Sequence, residues 1–342
     1  MKKASVIGHF GFGENLLNGQ TIKTKIVTEE LEKQLGKDNV KKVDTHGGVK
    51  AYLKLPFQIL SALRECENII IFPAHNGIKI IAPLLRFENR YFNRKLHYVV
   101  IGGWLPEFIT SRTILKKCLV DFDGIYVETN GMKMALEDQG INNIIVLPNF
   151  KNIVPLQKEN LVYRIEPPIR VCTFSRVMKE KGIEDAIDAV EEYNQKMGNS
   201  AIELDIYGQI DPAYKDEFSK VTERMPAYIK YKGMVPSSQS VDTIKHYQAL
   251  LFPTHYDGEG FAGTLIDAMA AGVPVIASDW RYNAEIVRHG KTGIIYRESL
   301  FDALCKMMMD INEWNAMKPL CIDEAHKYMS YNAIQELIKH LD

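Results

Sequence analysis

Two acidic residues, Glu259 and Asp267, stand eight positions apart and enclose a glycine-bearing run that could bind a phosphorylated ligand. We expect the run to join a strand over 248–253 to a helix that begins near Thr264, followed by a strand over 273–277. In a parallel α/β sheet such a loop lets backbone N–H groups approach a phosphate, and the helix dipole favours negative charge there. The candidate backbone donors are Gly260, Phe261, Ala262, Gly263 and Thr264. The stretch therefore predicts a diphosphate site.

Both acids also have ordinary structural explanations. Thr264 and Asp267 have the spacing of a capping box, in which the threonine caps the helix and the acid occupies its third position. Glu259 could be a solvated loop carboxylate. The spacing of these residues leaves the alternatives open.

The segment 252–293 resembles the donor-binding segment of the family 4 retaining glycosyltransferases. That family has a Glu-x7-Glu signature, which reads here as Glu259-GFAGTLI-Asp267, and it continues into a Gly-x-Pro-Val-Ile strand, matched by GVPVI at 272–276. The resemblance implies that Glu259 contacts the donor-sugar hydroxyls, that the loop amides contact the phosphate or sugar, and that Asp267 binds the ribose. Asp267 departs from the family, which usually has the longer glutamate there.

A second segment, 175–183, resembles the Gly-Arg-x-x-x-Glu-Lys-Gly element of the same family, with Ser175 in place of the glycine. The resemblance implies that Arg176 and Lys181 hold the donor diphosphate. Cations at these positions would stabilise a leaving group that gains charge in the transition state. Taken alone, each could be an ordinary surface cation. The family also holds the nucleotide base near the positions that match Gly233 and Met234.

The length of 342 residues suits two domains, and alternating strands and helices predict doubly wound α/β sheets. We expect an N-terminal Rossmann-like acceptor domain over 1–150, a proline-containing linker over 151–168 and a C-terminal donor domain over 169–329. The helix over 330–342 is expected to pack back on the first domain. By resemblance the fold is GT-B, with two facing Rossmann-like domains and the active site in the cleft between them.

Ligands of doubly wound sheets bind at the carboxyl ends of the strands. In the first domain this rule selects the acceptor-side candidates Gly11, Gly13, His75, Asn76, Gly103 and Trp104. A single histidine at a strand end is also commonly structural. The loop at Gly11 lacks the tight dinucleotide fingerprint, and we expect no acid at the end of a convincing second strand, which disfavours a nicotinamide site.

Composition bounds the protein class. Five widely spaced cysteines without a C-x-x-C pair indicate reduced thiols rather than disulfides or a zinc site, and no secretory signal or membrane-spanning run is expected. Residues 1–150 contain 20 lysines and arginines against 15 acids. This excess and the basic, aromatic segment with Arg86, Arg90 and Arg94 fit contact with an anionic membrane. The alternatives are random scatter of charge and a core helix with a solvated cationic end.

The resemblance to the family 4 glycosyltransferases implies an enzyme that moves a hexose, with retention, from a nucleoside-diphosphate sugar, expected to be UDP-linked. The acceptor would be a glycan or lipid-linked glycan of bacterial surface-polysaccharide (capsule) biosynthesis. We expect a cytoplasmic protein at the inner face of the plasma membrane, with no metal, cofactor or nucleic-acid partner. Three alternatives stay open: a nucleotide-sugar epimerase of GT-B architecture, a non-catalytic sugar-nucleotide-binding partner of another transferase, and a nicotinamide oxidoreductase.

Overall fold

Apolar runs of the sequence form two six-stranded parallel sheets in the computed structural model, which describes residues 1–14 and 19–341. One unit comprises residues 1–152 with 330–342, and the other comprises residues 153–329. Parallel neighbours need crossover connections, so helices alternate with strands in both units. The doubly wound α/β prediction is therefore confirmed.

The sheet of the first unit has the strand order β2-β1-β3-β4-β5-β6. Its strands are β1 Lys2–Gly8, β2 Val40–Asp44, β3 Cys66–Ile71, β4 Lys95–Val99, β5 Gly124–Val127 and β6 Ile144–Val146. The helices between them are α1 Gly19–Leu35, α2 Val49–Glu65, α3 His75–Asn89, α4 Leu105–Ile109, α5 Thr113–Leu119 and α6 Asn130–Glu137. Ile69, Ile70 and Ile71 have no exposed surface, as expected for a strand covered on both faces.

The sheet of the second unit has the strand order β12-β11-β10-β7-β8-β9, which places β10 beside β7. Its strands are β7 Ile169–Phe174, β8 Ile202–Tyr207, β9 Ile229–Gly233, β10 Ala249–Phe252, β11 Val275–Ser278 and β12 Gly293–Tyr296. Its helices are α7 Ile183–Met197, α8 Lys215–Thr222, α9 Ser240–Ile244, α10 Gly263–Ala270, α11 Asn283–Ile286, α12 Leu300–Met309, α13 Ile311–Ala316 and α14 Lys318–Ala325.

The chain returns to the first unit through two short helices, α15 Ser330–Ala333 and α16 Gln335–Ile338, rather than the single helix expected there. Leu337 and Leu341 join the hydrophobic core of the first unit. The Ser330 hydroxyl donates a hydrogen bond to the Glu30 carboxylate at 3.1 Å, and the Asn68 amide donates to the Leu341 carbonyl at 2.9 Å. These contacts fix the C-terminal segment on its own sheet.

The predicted linker is largely part of the second unit. That unit begins at residue 153, and Leu161 is buried in it. The Leu156 N–H donates to the Ala270 carbonyl at 2.8 Å, which ties the segment to the end of α10. The prolines predicted a linker between the domains, but the contacts of Leu156 and Leu161 attach the segment to the second unit.

Candidate active site

The strongest link between the two predicted halves of the donor site is an ion pair between Lys181 and Glu259. The Lys181 ammonium hydrogen-bonds the Glu259 carboxylate although 78 positions separate the residues. Only 13% of the lysine side chain and 8% of the glutamate side chain are exposed. The structure thus brings together a cation that follows β7 and an acid that follows β10.

Thr254 completes this pair, and sequence reasoning did not select it. Its hydroxyl lies 2.9 Å from a Glu259 carboxylate oxygen and is fully buried. The same hydroxyl accepts the Tyr256 N–H at 3.2 Å. The one sequence signal for this role is that Thr254 follows the apolar strand β10 closely. That signal identifies a partner for Glu259 only once the loop is known to place Glu259 next to Thr254.

Gly182 lets the Lys181 segment approach the end of β10. Its φ of 69° lies in the left-handed region. A Cβ atom there would lie 2.1 Å from the Pro253 carbonyl oxygen, which no side chain could accommodate without movement. The Glu180 carbonyl accepts the His255 N–H at 2.8 Å, so backbone bonding also joins the two loops.

Arg176 also follows β7, at the carboxyl ends of the strands, but among the described residues its side chain makes only a long ion pair. Its guanidinium is 3.5 Å from the Asp211 carboxylate, and 60% of the side chain is exposed. A long ion pair at the surface contributes little to stability. Arg176 is therefore free to reorient towards an anion, whereas Lys181 is held in one position by Glu259.

The glycine-bearing loop leads into α10, whose first residue is Gly263 and whose N-cap is Ala262. Within the described part of the chain no side chain caps this helix, so the capping-box explanation of Thr264 and Asp267 is wrong. The Thr264 hydroxyl is buried with no hydrogen-bond partner among the described residues. Asp267 lies beyond the first turn and is 2% exposed. The Leu265 N–H already donates to the Ala262 carbonyl at 3.1 Å, so a ligand at the start of α10 would meet the N–H groups of Gly263 and Thr264.

Other predicted donor-side residues take different positions. Phe261 is buried, with its ring 5.0 Å from that of Tyr328, so its side chain anchors the loop from behind. Gly260 is buried in the same loop. Gly233 ends β9 and accepts the Gly208 N–H at 2.9 Å, while Met234 is 60% exposed. Because β9 is the outermost strand of the sheet and lies two strands from β7, Gly233 and Met234 are not next to Lys181.

The acceptor-side candidates of the first unit divide into two groups. His75 stacks on Trp104, with ring centroids 3.9 Å apart, and both rings meet Phe108 edge-on. Burial first, and then the positive charges of Arg112 and Lys79, lower the pKa of His75 below its ordinary value. Asn76 is exposed beside His75, whereas Gly103 is buried beneath Trp104.

The second group is the loop with Gly11 and Gly13, both in the left-handed region. The Asp44 carboxylate accepts the N–H groups of Phe10 and Phe12 at 2.9 and 3.0 Å. An acid therefore does end the second strand, contrary to our expectation. It accepts hydrogen bonds from the loop that follows β1 and so holds that loop against the end of β2.

Several first-unit residues were missed from sequence. His9 and His46 hydrogen-bond each other through ring nitrogens 2.9 Å apart, and burial together with the charge of His46 lowers the pKa of His9. Lys23 and Glu128 form an ion pair at 3.5 Å, with each side chain at most 4% exposed. Glu128 directly follows β5, so its position at a strand end was the available signal.

Two of the three arginines at and after the C-terminal end of α3 bind other parts of the first unit. Arg86 pairs with Asp121, and the Arg94 guanidinium donates to the Leu63 carbonyl at 2.9 Å. Arg90 and the aromatic residues Phe87 and Tyr91 remain exposed.

Over the described residues, no helix has the length and apolar character needed to cross a bilayer. Within the same ranges, no group of three or more histidine, cysteine or acidic side chains is placed to hold a metal ion.

The family assignment rests on the second unit. Residues 168–310 match the family model described as Glycosyl transferases group 1. The chain therefore contains a group 1 glycosyltransferase domain, which covers both the Lys181 and the Glu259 loops.

Two curated proteins illustrate the similarity. The UDP-N-acetylglucosamine–peptide N-acetylglucosaminyltransferase GtfA subunit of Streptococcus gordonii is 31% identical over 245 residues, covering 68% of this chain and 46% of that protein. The amylovoran biosynthesis glycosyltransferase AmsK of Erwinia amylovora is 24% identical over 199 residues, covering 54% and 48%. The chain thus spans about half the length of these relatives.

Solved structures establish the fold over the whole chain. Anabaena Alr3699/HepE in complex with UDP has a TM-score of 0.73 and 14% identity, with 99% of each chain covered. The lipopolysaccharide outer core galactosyltransferase WaaB has a TM-score of 0.68 and 16% identity, again covering 99% of each chain. The GT-B prediction is confirmed.

The role of Gly182 can be tested against Gly198, at the opposite end of α7. Both glycines adopt nearly the same left-handed φ, 69° and 68°, but a Cβ at Gly198 would meet nothing within 4 Å. Each alanine substitution should cost about 1–2 kcal/mol in backbone strain. We expect Gly182→Ala to cost about 1–3 kcal/mol more, because its Cβ overpacks Pro253.

Urea-induced unfolding of the two variants measures this difference. Equal losses of unfolding free energy would show that the Pro253 segment yields and does not constrain the Lys181 loop.

Proposed function

We propose that this protein is a retaining glycosyltransferase that moves a hexose from a nucleoside-diphosphate sugar, most simply UDP-linked, to a glycan or lipid-linked glycan in surface-polysaccharide assembly. The observation that supports it most directly is the buried Lys181–Glu259 pair beside the uncapped start of α10. The family assignment supports the reaction class. The HepE structures determined with UDP and with UDP-glucose support the choice of donor.

In this proposal the diphosphate lies between the open amides of α10 and the cations of the β7 loop. Arg176 turns from its long contact with Asp211 to make a bidentate contact with phosphate oxygens. Lys181 provides a point charge at a position fixed by Glu259. Because charge accumulates on the leaving diphosphate, these groups stabilise the transition state more than the bound donor.

Glu259 is assigned to the donor sugar and Asp267 to the ribose. Glu259 accepts the hydrogen bonds of Lys181 and Thr254 through the same carboxylate oxygen, Oε2. In this proposal Oε1 accepts from the donor-sugar hydroxyls, and Glu259 acts as a hydrogen-bonding group rather than as a nucleophile. Retention then follows from attack by the acceptor hydroxyl on the face that the diphosphate leaves. A donor phosphate oxygen takes the acceptor proton in that step.

The role of Lys181 predicts a large kinetic effect. Lys181→Ala should lower kcat by about 10²–10³, the cost of removing one transition-state charge partner, and Lys181→Arg should lose less. Lys179→Ala is the matched control, because Lys179 lies in the same turn, is 66% exposed and pairs only with Glu217 at 3.4 Å. UDP release from UDP-hexoses, measured with and without an oligosaccharide acceptor, provides the assay.

Near-normal turnover by folded Lys181→Ala would remove this lysine from the mechanism. Conversion of the donor without acceptor would instead favour an epimerase, and UDP binding without any turnover would favour a non-catalytic partner of another transferase.

We also propose that transfer needs no metal ion, because cations and a helix end neutralise the diphosphate. Activity should therefore be unchanged after dialysis against EDTA. Loss of activity that Mg²⁺ or Mn²⁺ restores would contradict this part of the proposal, while leaving the assigned residues open to separate test.

A peripheral contact with an anionic membrane would bring the enzyme to a lipid-linked acceptor at the inner face of the plasma membrane. The exposed residues Phe87, Arg90 and Tyr91 are its candidates. Arg90→Glu should reduce flotation with anionic liposomes roughly fivefold per unit charge, since each surface cation contributes about 1 kcal/mol. Arg224→Glu, an exposed position of the second unit, is the control, and equal reductions would assign the effect to overall charge.

A further inference from the structure

A cavity of about 500 Å³ lies in the first unit where α3 packs against α5. This volume is within the range of small-ligand sites. The lining combines two cations, two hydroxyl groups and apolar side chains, and it includes Lys79, Pro83, Ser111, Arg112, Thr113 and Ile114. We call it the α3–α5 cavity.

The charge of this cavity is uncompensated. Over residues 1–14 and 19–341, neither Lys79 nor Arg112 has a carboxylate partner within ion-pair distance. Arg86, two turns further along α3, shows the usual arrangement by pairing with Asp121. Both side chains line the same cavity, and after burial the positive charges of Arg112 and Lys79 also lower the pKa of the neighbouring His75.

Arg112 is also fixed in orientation. Its guanidinium lies 3.9 Å from the centroid of the Phe108 ring and donates a hydrogen bond to the Phe108 carbonyl. A planar guanidinium held in this way loses little entropy on binding and presents its remaining N–H groups to an anion with phosphate geometry. Lys79 supplies a second positive charge from α3.

The cavity has an apolar side as well. Ile114 is 76% exposed although it lines the cavity, and Pro83 and Leu115 continue the apolar surface inwards. A free inorganic anion would leave this surface in water. A ligand with an anionic head and an apolar chain would use both parts.

We propose that the α3–α5 cavity binds the phosphate group of an amphiphilic phosphate ester, with the phosphate between Lys79 and Arg112 and the apolar chain along Ile114. Two sources share this chemistry: the headgroup of a bilayer phospholipid, and the diphosphate of a lipid-linked acceptor. The inference concerns binding alone and does not depend on the transferase activity proposed above.

Calorimetric titration with farnesyl diphosphate, a soluble amphiphile, tests the proposal on the full chain. We expect Lys79→Gln to weaken binding at least about tenfold, the loss of one charge-assisted contact. Lys117→Gln, which removes an exposed cation from the same helix α5 but outside the cavity, should leave binding unchanged. Ile114→Ser should weaken farnesyl diphosphate but not inorganic phosphate.

A site-specific readout is the NMR titration of the His75 ring. Phosphate bound between the two cations should raise the pKa of His75 in the unmodified protein, and less so in Lys79→Gln. This signal also shows whether the variant is folded.

Competition by phosphatidic acid in phosphatidylcholine vesicles would identify the bilayer as the source, and binding of the soluble diphosphate without such competition would identify the lipid-linked acceptor. Either result supports the site. Absence of binding, equal weakening by Lys117→Gln, or affinity for inorganic phosphate as high as for farnesyl diphosphate would overturn the proposal.

Discussion

The ion pair between Lys181 and Glu259, which is largely shielded from solvent, is the interaction on which the proposed donor site depends. Removing two charges from water is costly, and their attraction compensates only when the geometry is good and other hydrogen bonds satisfy the carboxylate. Here the Thr254 hydroxyl supplies such a bond, and Gly182 permits the close approach that brings the two loops together. The architecture of β7 and β10 as neighbours is what makes this possible.

The first unit also has a lysine–glutamate ion pair at the carboxyl ends of its strands. Lys23 and Glu128 are buried together, and Glu128 accepts the Gly102 N–H at 3.3 Å. That bond fixes the loop that carries Trp104, on which His75 stacks. In both units, therefore, a buried lysine–glutamate pair immobilises a loop at the carboxyl ends of the strands. The two pairs differ in exposure, since Lys181 retains some contact with solvent and Lys23 almost none.

Local sequence signals predicted elements better than they predicted element ends. The helical pattern of residues 299–314 is divided into α12 and α13, because the Asp310 carboxylate accepts the Glu313 N–H and caps a new helix. The capping-box spacing at Thr264 was misleading because the N-cap of α10 is Ala262, two residues earlier. Short-range patterns cannot decide between such alternatives, whose energies differ by about 1 kcal/mol.

The sequence alone determined the alternation of strands and helices, because apolar periodicity is a local property. The GT-B fold and the candidate donor-side loops were predicted from the resemblance of two short segments to a known family. Only the tertiary structure decided which charged side chains pair with each other. It also decided that the Thr254 hydroxyl hydrogen-bonds Glu259, and that Asp44 accepts hydrogen bonds from the loop that follows β1. These contacts depend on the order of strands in each sheet. That order brings Lys181 and Glu259, 78 positions apart, into contact, and it sets how much water each charged side chain loses on folding.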